Sequence, residues 1–137
     1  MLIAGGRWNA SVDDIVLDAS AVLAVILGEP GAERVVPNLP TGRLSVINYA
    51  EVLTKLIERG DDPVVAIARS SLGYELVVFD PAAATRAAAL WTLTRVRGLS
   101  LGDRACLALA EREGLPVLTA DRAWADLDIE VEVRLIR

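Results

Sequence analysis

Short apolar runs separated by helix-length segments constrain this chain most. Ile15-Val16-Leu17, Leu44-Ser45-Val46, residues 75–79, Val117-Leu118-Thr119 and residues 131–136 read as strands. Between them the spacing predicts helices over 20–27, 31–36, 48–59 and 64–72. Further helices are predicted over 81–97 and 100–113, with a helical turn at 123–126. Gly28, Gly60 and Gly114 stand at predicted helix ends, and Asp80-Pro81 supplies an N-cap followed by proline at the first helical position. Strands alternating with helices imply an α/β fold with a mostly parallel central sheet of four to five strands, covered on both faces. The 137 residues suit one such domain. Residues 1–14 show no clear period and read as an N-terminal extension before a domain spanning 15–137.

Composition removes whole classes of chemistry. Histidine is absent, which excludes Ser-His-Asp and Cys-His nucleophiles and every His-ligated zinc site. Cys106 is the only cysteine, so no disulfide forms within the chain, as suits a reducing compartment. The longest strongly apolar stretch, 21–27, falls far short of the roughly 18 residues a membrane span requires. The first residues lack the pattern of a secretory signal, so a cytoplasmic protein with no membrane association is expected. The net charge of −5 argues against tight non-specific binding to nucleic acid but leaves room for local phosphate contacts.

In a parallel α/β sheet, functional loops sit at the carboxyl ends of the strands. Asp18 directly follows the first strand and Asp121 follows Val117-Leu118-Thr119-Ala120. Glu51 lies in the first turn of the helix after the second strand. Each acid also has a structural explanation. Asp18 can cap a helix, and Glu51 precedes Lys55 by four residues in the favourable order for a solvent-facing helical pair. Asp121 can begin a turn, and Ser100-Leu101-Gly102-Asp103 resembles a capping box. The rest of the Asp103 helix is apolar nearly all round, however, and a buried charge there needs a partner. Carboxylates about 5 Å apart repel by roughly 3 kcal/mol per pair at an effective dielectric near 20. A hard cation such as Mg²⁺ or Mn²⁺ resolves that conflict, and it can activate water for attack on a phosphodiester.

Four segments in order carry a family resemblance. Ile15-Val16-Leu17-Asp18-Ala19-Ser20-Ala21 resembles the opening strand of PIN-domain nucleases, and Ser45-Val46-Ile47-Asn48-Tyr49-Ala50-Glu51-Val52 their second acidic motif. Leu99-Ser100-Leu101-Gly102-Asp103-Arg104-Ala105-Cys106 is similar to the third, in the form seen among VapC-type toxins of toxin–antitoxin pairs. Val117-Leu118-Thr119-Ala120-Asp121-Arg122-Ala123-Trp124 is similar to the fourth. The resemblance runs from about Ile15 to the end of the chain, and residues 1–14 depart from the family's usual short approach to the first strand. It implies a three-layer α/β/α PIN-like fold, a homodimer, and Mg²⁺- or Mn²⁺-dependent cleavage of RNA. It also implies inhibition by a small cognate antitoxin. Carried over by position, Asp18, Glu51, Asp103 and Asp121 form a catalytic and metal-binding quartet, with Asp18 and Asp103 as the direct ligands. Ser20, Asn48, Thr119 and Asp126 are supporting candidates, and Arg104 and Arg122 are candidate phosphate contacts.

Two other readings stand beside this one. A non-catalytic protein-binding module on the same fold would use the four acids as caps and ion-pair partners. A phosphoaspartyl enzyme built on Asp18 generally needs a second acid two residues later, where this chain has Ser20, and Lys55 is out of place for a receiver domain.

Overall fold

The computed structural model describes residues 13–137. Its five strands are β1 (Ile15–Leu17), β2 (Gly42–Ser45), β3 (Glu75–Val77), β4 (Val117–Thr119) and β5 (Val133–Leu135). All are parallel, in the spatial order β3-β2-β1-β4-β5. The first strand in sequence is therefore central. Val16 pairs with Arg43 of β2 on one side and with Val117 of β4 on the other.

The strands are apolar because both faces are covered. Ile15, Leu17, Leu44 and Leu118 join a core with residues of α1 (Ala19–Leu27), α2 (Ala32–Val35), α3 (Val46–Glu58) and α4 (Pro63–Arg69). Val16 and Val117 belong to a second core, with α5 (Pro81–Ala89) and α7 (Leu101–Glu113). One apolar cluster lies on each face of the sheet, giving the expected three-layer α/β/α architecture with all five strands.

Several boundaries move for identifiable reasons. Val46 is helical rather than extended because Ser45 caps α3, its hydroxyl accepting from Ile47 N at 3.2 Å. The helix predicted over 81–97 is divided. It ends at Ala89, resumes as α6 (Trp91–Thr94), and passes through a 3-10 turn, Arg95–Arg97, to Gly98. The break coincides with the end of the alanine run, where β-branched Thr92, Thr94 and Val96 lower helix propensity. Buried Thr94 also turns its hydroxyl back onto Leu90 O at 2.9 Å. A 3-10 turn, Val36–Asn38, extends α2, and another, Arg122–Asp126, follows β4.

Residues 1–12 of the expected extension lie outside the described residues. Its last two are tied to the domain: Asp13 O accepts from the Thr41 hydroxyl at 3.0 Å, and Asp14 pairs with Arg43 at 2.7 Å. Among the described residues, no helix is long and apolar enough to cross a membrane.

Gly31 fixes α2 against the end of the sheet. Its φ is +95°, and an added Cβ would lie 2.4 Å from Ile136 O, a backbone atom that cannot step aside. Gly60, with φ +111°, has nothing within 4 Å. Gly31→Ala should therefore cost on the order of 3 kcal/mol and Gly60→Ala only about 1, the backbone strain alone. Thermal melts of the two variants check this, and equal losses would refute the contact with Ile136.

Candidate metal centre

The strand order reverses at β1, whose neighbours β2 and β4 are reached by crossovers in opposite directions. Such a switch point opens a crevice at the carboxyl ends of the strands. A cavity of about 260 Å³ is found there, lined by Asp18, Ser20, Glu51, Lys55, Asp103 and Asp121 together with Ala19 and Leu23. All four acids singled out in the sequence reach it, from four separate segments.

Asp18 is the deepest, at 4% exposure. It occupies the N-cap position of α1, yet its side chain makes no capping hydrogen bond. Oδ2 instead accepts from the Ser20 hydroxyl at 2.6 Å and the Thr119 hydroxyl at 2.9 Å. Those hydroxyl oxygens accept in turn from Ala120 N at 2.9 Å and Asp121 N at 3.0 Å. Two backbone amides just past β4 thus orient two hydroxyl protons onto one carboxylate oxygen. Burial pushes the Asp18 pKa up to about 6 against those hydrogen bonds, and the charges of Asp103 and Glu51 push the same way.

Asp103 and Asp121 have structural duties as well. Ser100 Oγ accepts from Asp103 N at 3.2 Å and Asp103 Oδ2 accepts from Ser100 N at 2.9 Å, a complete capping box. Asp121 Oδ1 accepts from Ala123 N at 3.0 Å. The expected Glu51–Lys55 pair is not formed. Lys55 pairs with Glu58 at 3.4 Å, while half-buried Glu51 accepts from Asn48 Nδ2 at 2.9 Å. Its pKa is raised, first by burial, then by the charge of Asp103, against the Asn48 hydrogen bond.

A common pattern follows. Each carboxylate has one oxygen held by a local donor, and the other oxygen has no hydrogen-bond partner among the described residues. The four surround the cavity without closing on a point. Among the described residues, no three acidic or cysteine side chains are gathered closely enough to constitute a metal site as they stand. The donor set is all carboxylate oxygen, which suits a hard divalent ion.

Two supporting candidates also reach Asp18, namely Ser20 and Thr119. Asn48 is fully buried and joins α3 to α7, donating to Gly102 O at 2.9 Å as well as to Glu51. Asp126 does not line the cavity; its carboxylate pairs with Arg97 at 2.9 Å. Nor do the two arginines. Arg104 Nη1 donates to Ala87 O at 2.9 Å, against α5, and Arg122 Nη1 donates to Arg137 O at 3.0 Å. Each stands next to a motif acid in sequence, but side-chain direction carries it elsewhere.

Gly102 and Lys55 were missed as site residues. A Cβ on Gly102 would lie 2.1 Å from Glu51 Oε2 and 2.7 Å from Oε1, so only glycine leaves room for that carboxylate against α7. Its place directly before Asp103 was the available signal. For Lys55 the signal was its position one turn beyond Glu51.

The PIN domain family model matches residues 15–130. The chain belongs to the PIN domain family. Solved structures agree on the fold. DNA-bound VapBC from Salmonella typhimurium shares 19% identity, with 91% of this chain and 99% of that chain covered at a TM-score of 0.72. Mycobacterium tuberculosis VapC20, described as a sarcin-ricin loop cleaving toxin, shares 22% identity, with coverage of 87% and 99% and a TM-score of 0.69. FitAcB from Neisseria gonorrhoeae shares 24% identity, with coverage of 87% and 95% and a TM-score of 0.64. A comparison with curated proteins finds no significant match.

The raised pKa of Asp18 makes its ionised form a burden on this PIN domain. A carboxyl whose folded pKa lies above its unfolded value leaves the folded state less stable above the folded pKa, and the penalty fades as pH falls. Asp18→Asn should thus raise stability in metal-free buffer at pH 7.5 by on the order of 3 kcal/mol, with the gain vanishing by about pH 4. Denaturant titrations across pH measure it, and a gain independent of pH would remove the titration argument. Gly102→Ala should leave stability equal or slightly higher, since alanine favours helix and the displaced atoms end a flexible side chain. NMR titration should then show the Glu51 pKa moving down toward the ordinary range. An unmoved Glu51 would contradict the packing described.

Proposed function

We propose that this PIN domain is a Mg²⁺- or Mn²⁺-dependent endoribonuclease, the toxin of a VapC-type toxin–antitoxin pair, which hydrolyses RNA phosphodiester bonds. One observation carries the proposal: Asp18, Glu51, Asp103 and Asp121 arrive from four segments at one cavity of a chain without histidine. A cluster of this charge fits a divalent cation better than any proton-transfer system the chain could assemble.

Asp18 and Asp103 are assigned as the principal ligands, with Glu51 and Asp121 binding directly or through water. When bound, the ion supplies a water of lowered pKa and offsets charge on the phosphodiester. The remaining work falls to the protein. Ser20 and Thr119 hold Asp18 by one oxygen and leave the other for the ion. Asn48 and Gly102 keep Glu51 turned into the cavity. Asp103 is fixed at the start of α7 by the capping box, so its position is set before any ion arrives.

The proposed partners are an RNA substrate, a small cognate antitoxin and a second copy of this chain in a homodimer. Solved neighbours include a toxin–antitoxin complex from Klebsiella pneumoniae and VapBC from Salmonella typhimurium, which supports the antitoxin assignment. A cytoplasmic location accords with the single buried Cys106. The alternative, a non-catalytic protein-binding PIN module, draws on the complete capping box of Asp103 and the capping bond of Asp121, since both acids have structural work without any ion.

Purified protein should cleave total RNA in Mg²⁺ and not in chelator. Asp18→Asn and Asp103→Asn should each lower cleavage by about a hundredfold or more while remaining folded. Millimolar Mg²⁺ should also raise the wild-type melting temperature, because a ligand bound only by the folded state stabilises it. Absence of both cleavage and metal-linked stabilisation would favour the binding module.

A further inference from the structure

We infer that Lys55, the only lysine of the chain, is a substrate-binding residue that takes an RNA phosphate at the mouth of the acidic cavity. The inference rests on the ribonuclease reading above.

Four carboxylates face the cavity that a phosphodiester must enter. Even with one divalent ion bound, four ionised acids would leave a net charge of about −2, which repels an incoming phosphate. Some cation must therefore stand at the approach. The chain has 13 arginines besides Lys55, yet among the described residues no arginine lines this cavity. Arg104 and Arg122, the two that sequence position favoured, are engaged with backbone carbonyls away from it. Among the described residues, Lys55 is the one basic side chain that lines it.

Its placement suits the role. Lys55 lies four residues after Glu51 on α3, about one helical turn along the same face. It lines the acidic cavity and also borders an adjoining open depression along one face of α3, formed with Ile47, Ala50, Thr54 and Glu58. Glu51 and Lys55 are common to both, so they mark where the acidic cavity opens onto that face of α3. A single strand whose scissile phosphate meets the acids would continue past the Lys55 ammonium over the open face of α3.

Nothing strong holds Lys55 back. Its partner Glu58 is 3.4 Å away, and the two side chains are 55% and 61% exposed, a pair of small net worth. Phosphate can displace Glu58, and the flexible lysine stem lets the ammonium follow it.

Binding of a short fluorescein-labelled oligoribonucleotide of random sequence tests this, followed by anisotropy at 4 °C and several salt concentrations with Ca²⁺ in place of Mg²⁺, so that a hard ion offsets the acids while turnover is slowed. Lys55→Gln should weaken binding about tenfold and make the slope of log K against log salt shallower by about 0.7, as expected for one lost phosphate contact. Lys55→Arg should stay near wild type, and Glu58→Gln should bind more tightly, but only while Lys55 is present. Wild-type affinity and salt slope in Lys55→Gln would overturn the assignment, leaving the ribonuclease reading intact if the wild type still cleaves RNA in Mg²⁺. A wild type that neither binds nor cleaves RNA would overturn both.

Discussion

The structure turns on seating one carboxylate at the end of its central strand. Asp18 follows β1, is almost fully buried, and lies near two further acids whose charges raise its pKa. Left to apolar surroundings, an ionised group there would cost several kcal/mol. Its support comes from Ser20 on α1 and Thr119 at the end of β4, each oriented by a backbone amide of the chain after β4. The same bonds lock β1 and β4 together at the point where strand order reverses. Burial of Asp18 and opening of the crevice are thus consequences of one arrangement.

That arrangement extends to the other acids by a shared device. Asp103 is held by Ser100 N, Asp121 by Ala123 N and Glu51 by Asn48. In each case the donor is local, so the carboxylate is positioned by its own turn or helix rather than by its neighbours. Mutually repelling charges can be arrayed this way because each accepts a hydrogen bond from its own helix or turn. For Asp103 and Asp121 one oxygen serves the helix or turn, and the other has no hydrogen-bond partner among the described residues.

Asn48 and Gly102 join the two helices that carry Glu51 and Asp103. Asn48 bridges the first turns of α3 and α7 from a fully buried position, and Gly102 gives up a side chain so that the Glu51 carboxylate can approach. Neither residue carries charge, and substituting either would disturb the position of a group that does.

Much of this was readable in the residues themselves. Apolar strands too short for membrane spans, glycine stops and proline starts determined a parallel α/β sheet, because those signals are local and act over a few residues. The absence of histidine left carboxylates, hydroxyls, one lysine and bound ions as the groups on which any site could run. Position after the strands placed Asp18 and Asp121 at one edge, and ordered motifs joined Glu51 and Asp103 to them. What required the folded chain was direction. Only packing decided that Glu51 turns to Asn48 rather than Lys55, and that Arg104 reaches α5 while Asp126 meets Arg97. Only packing divided the helix predicted over 81–97. The sequence orders residues along one dimension, whereas a side chain's partner depends on rotamer and on helices brought together from distant segments. Four acids at one site were foreseeable from the motifs; the sharing of each acid between its own helix or turn and the cavity was not.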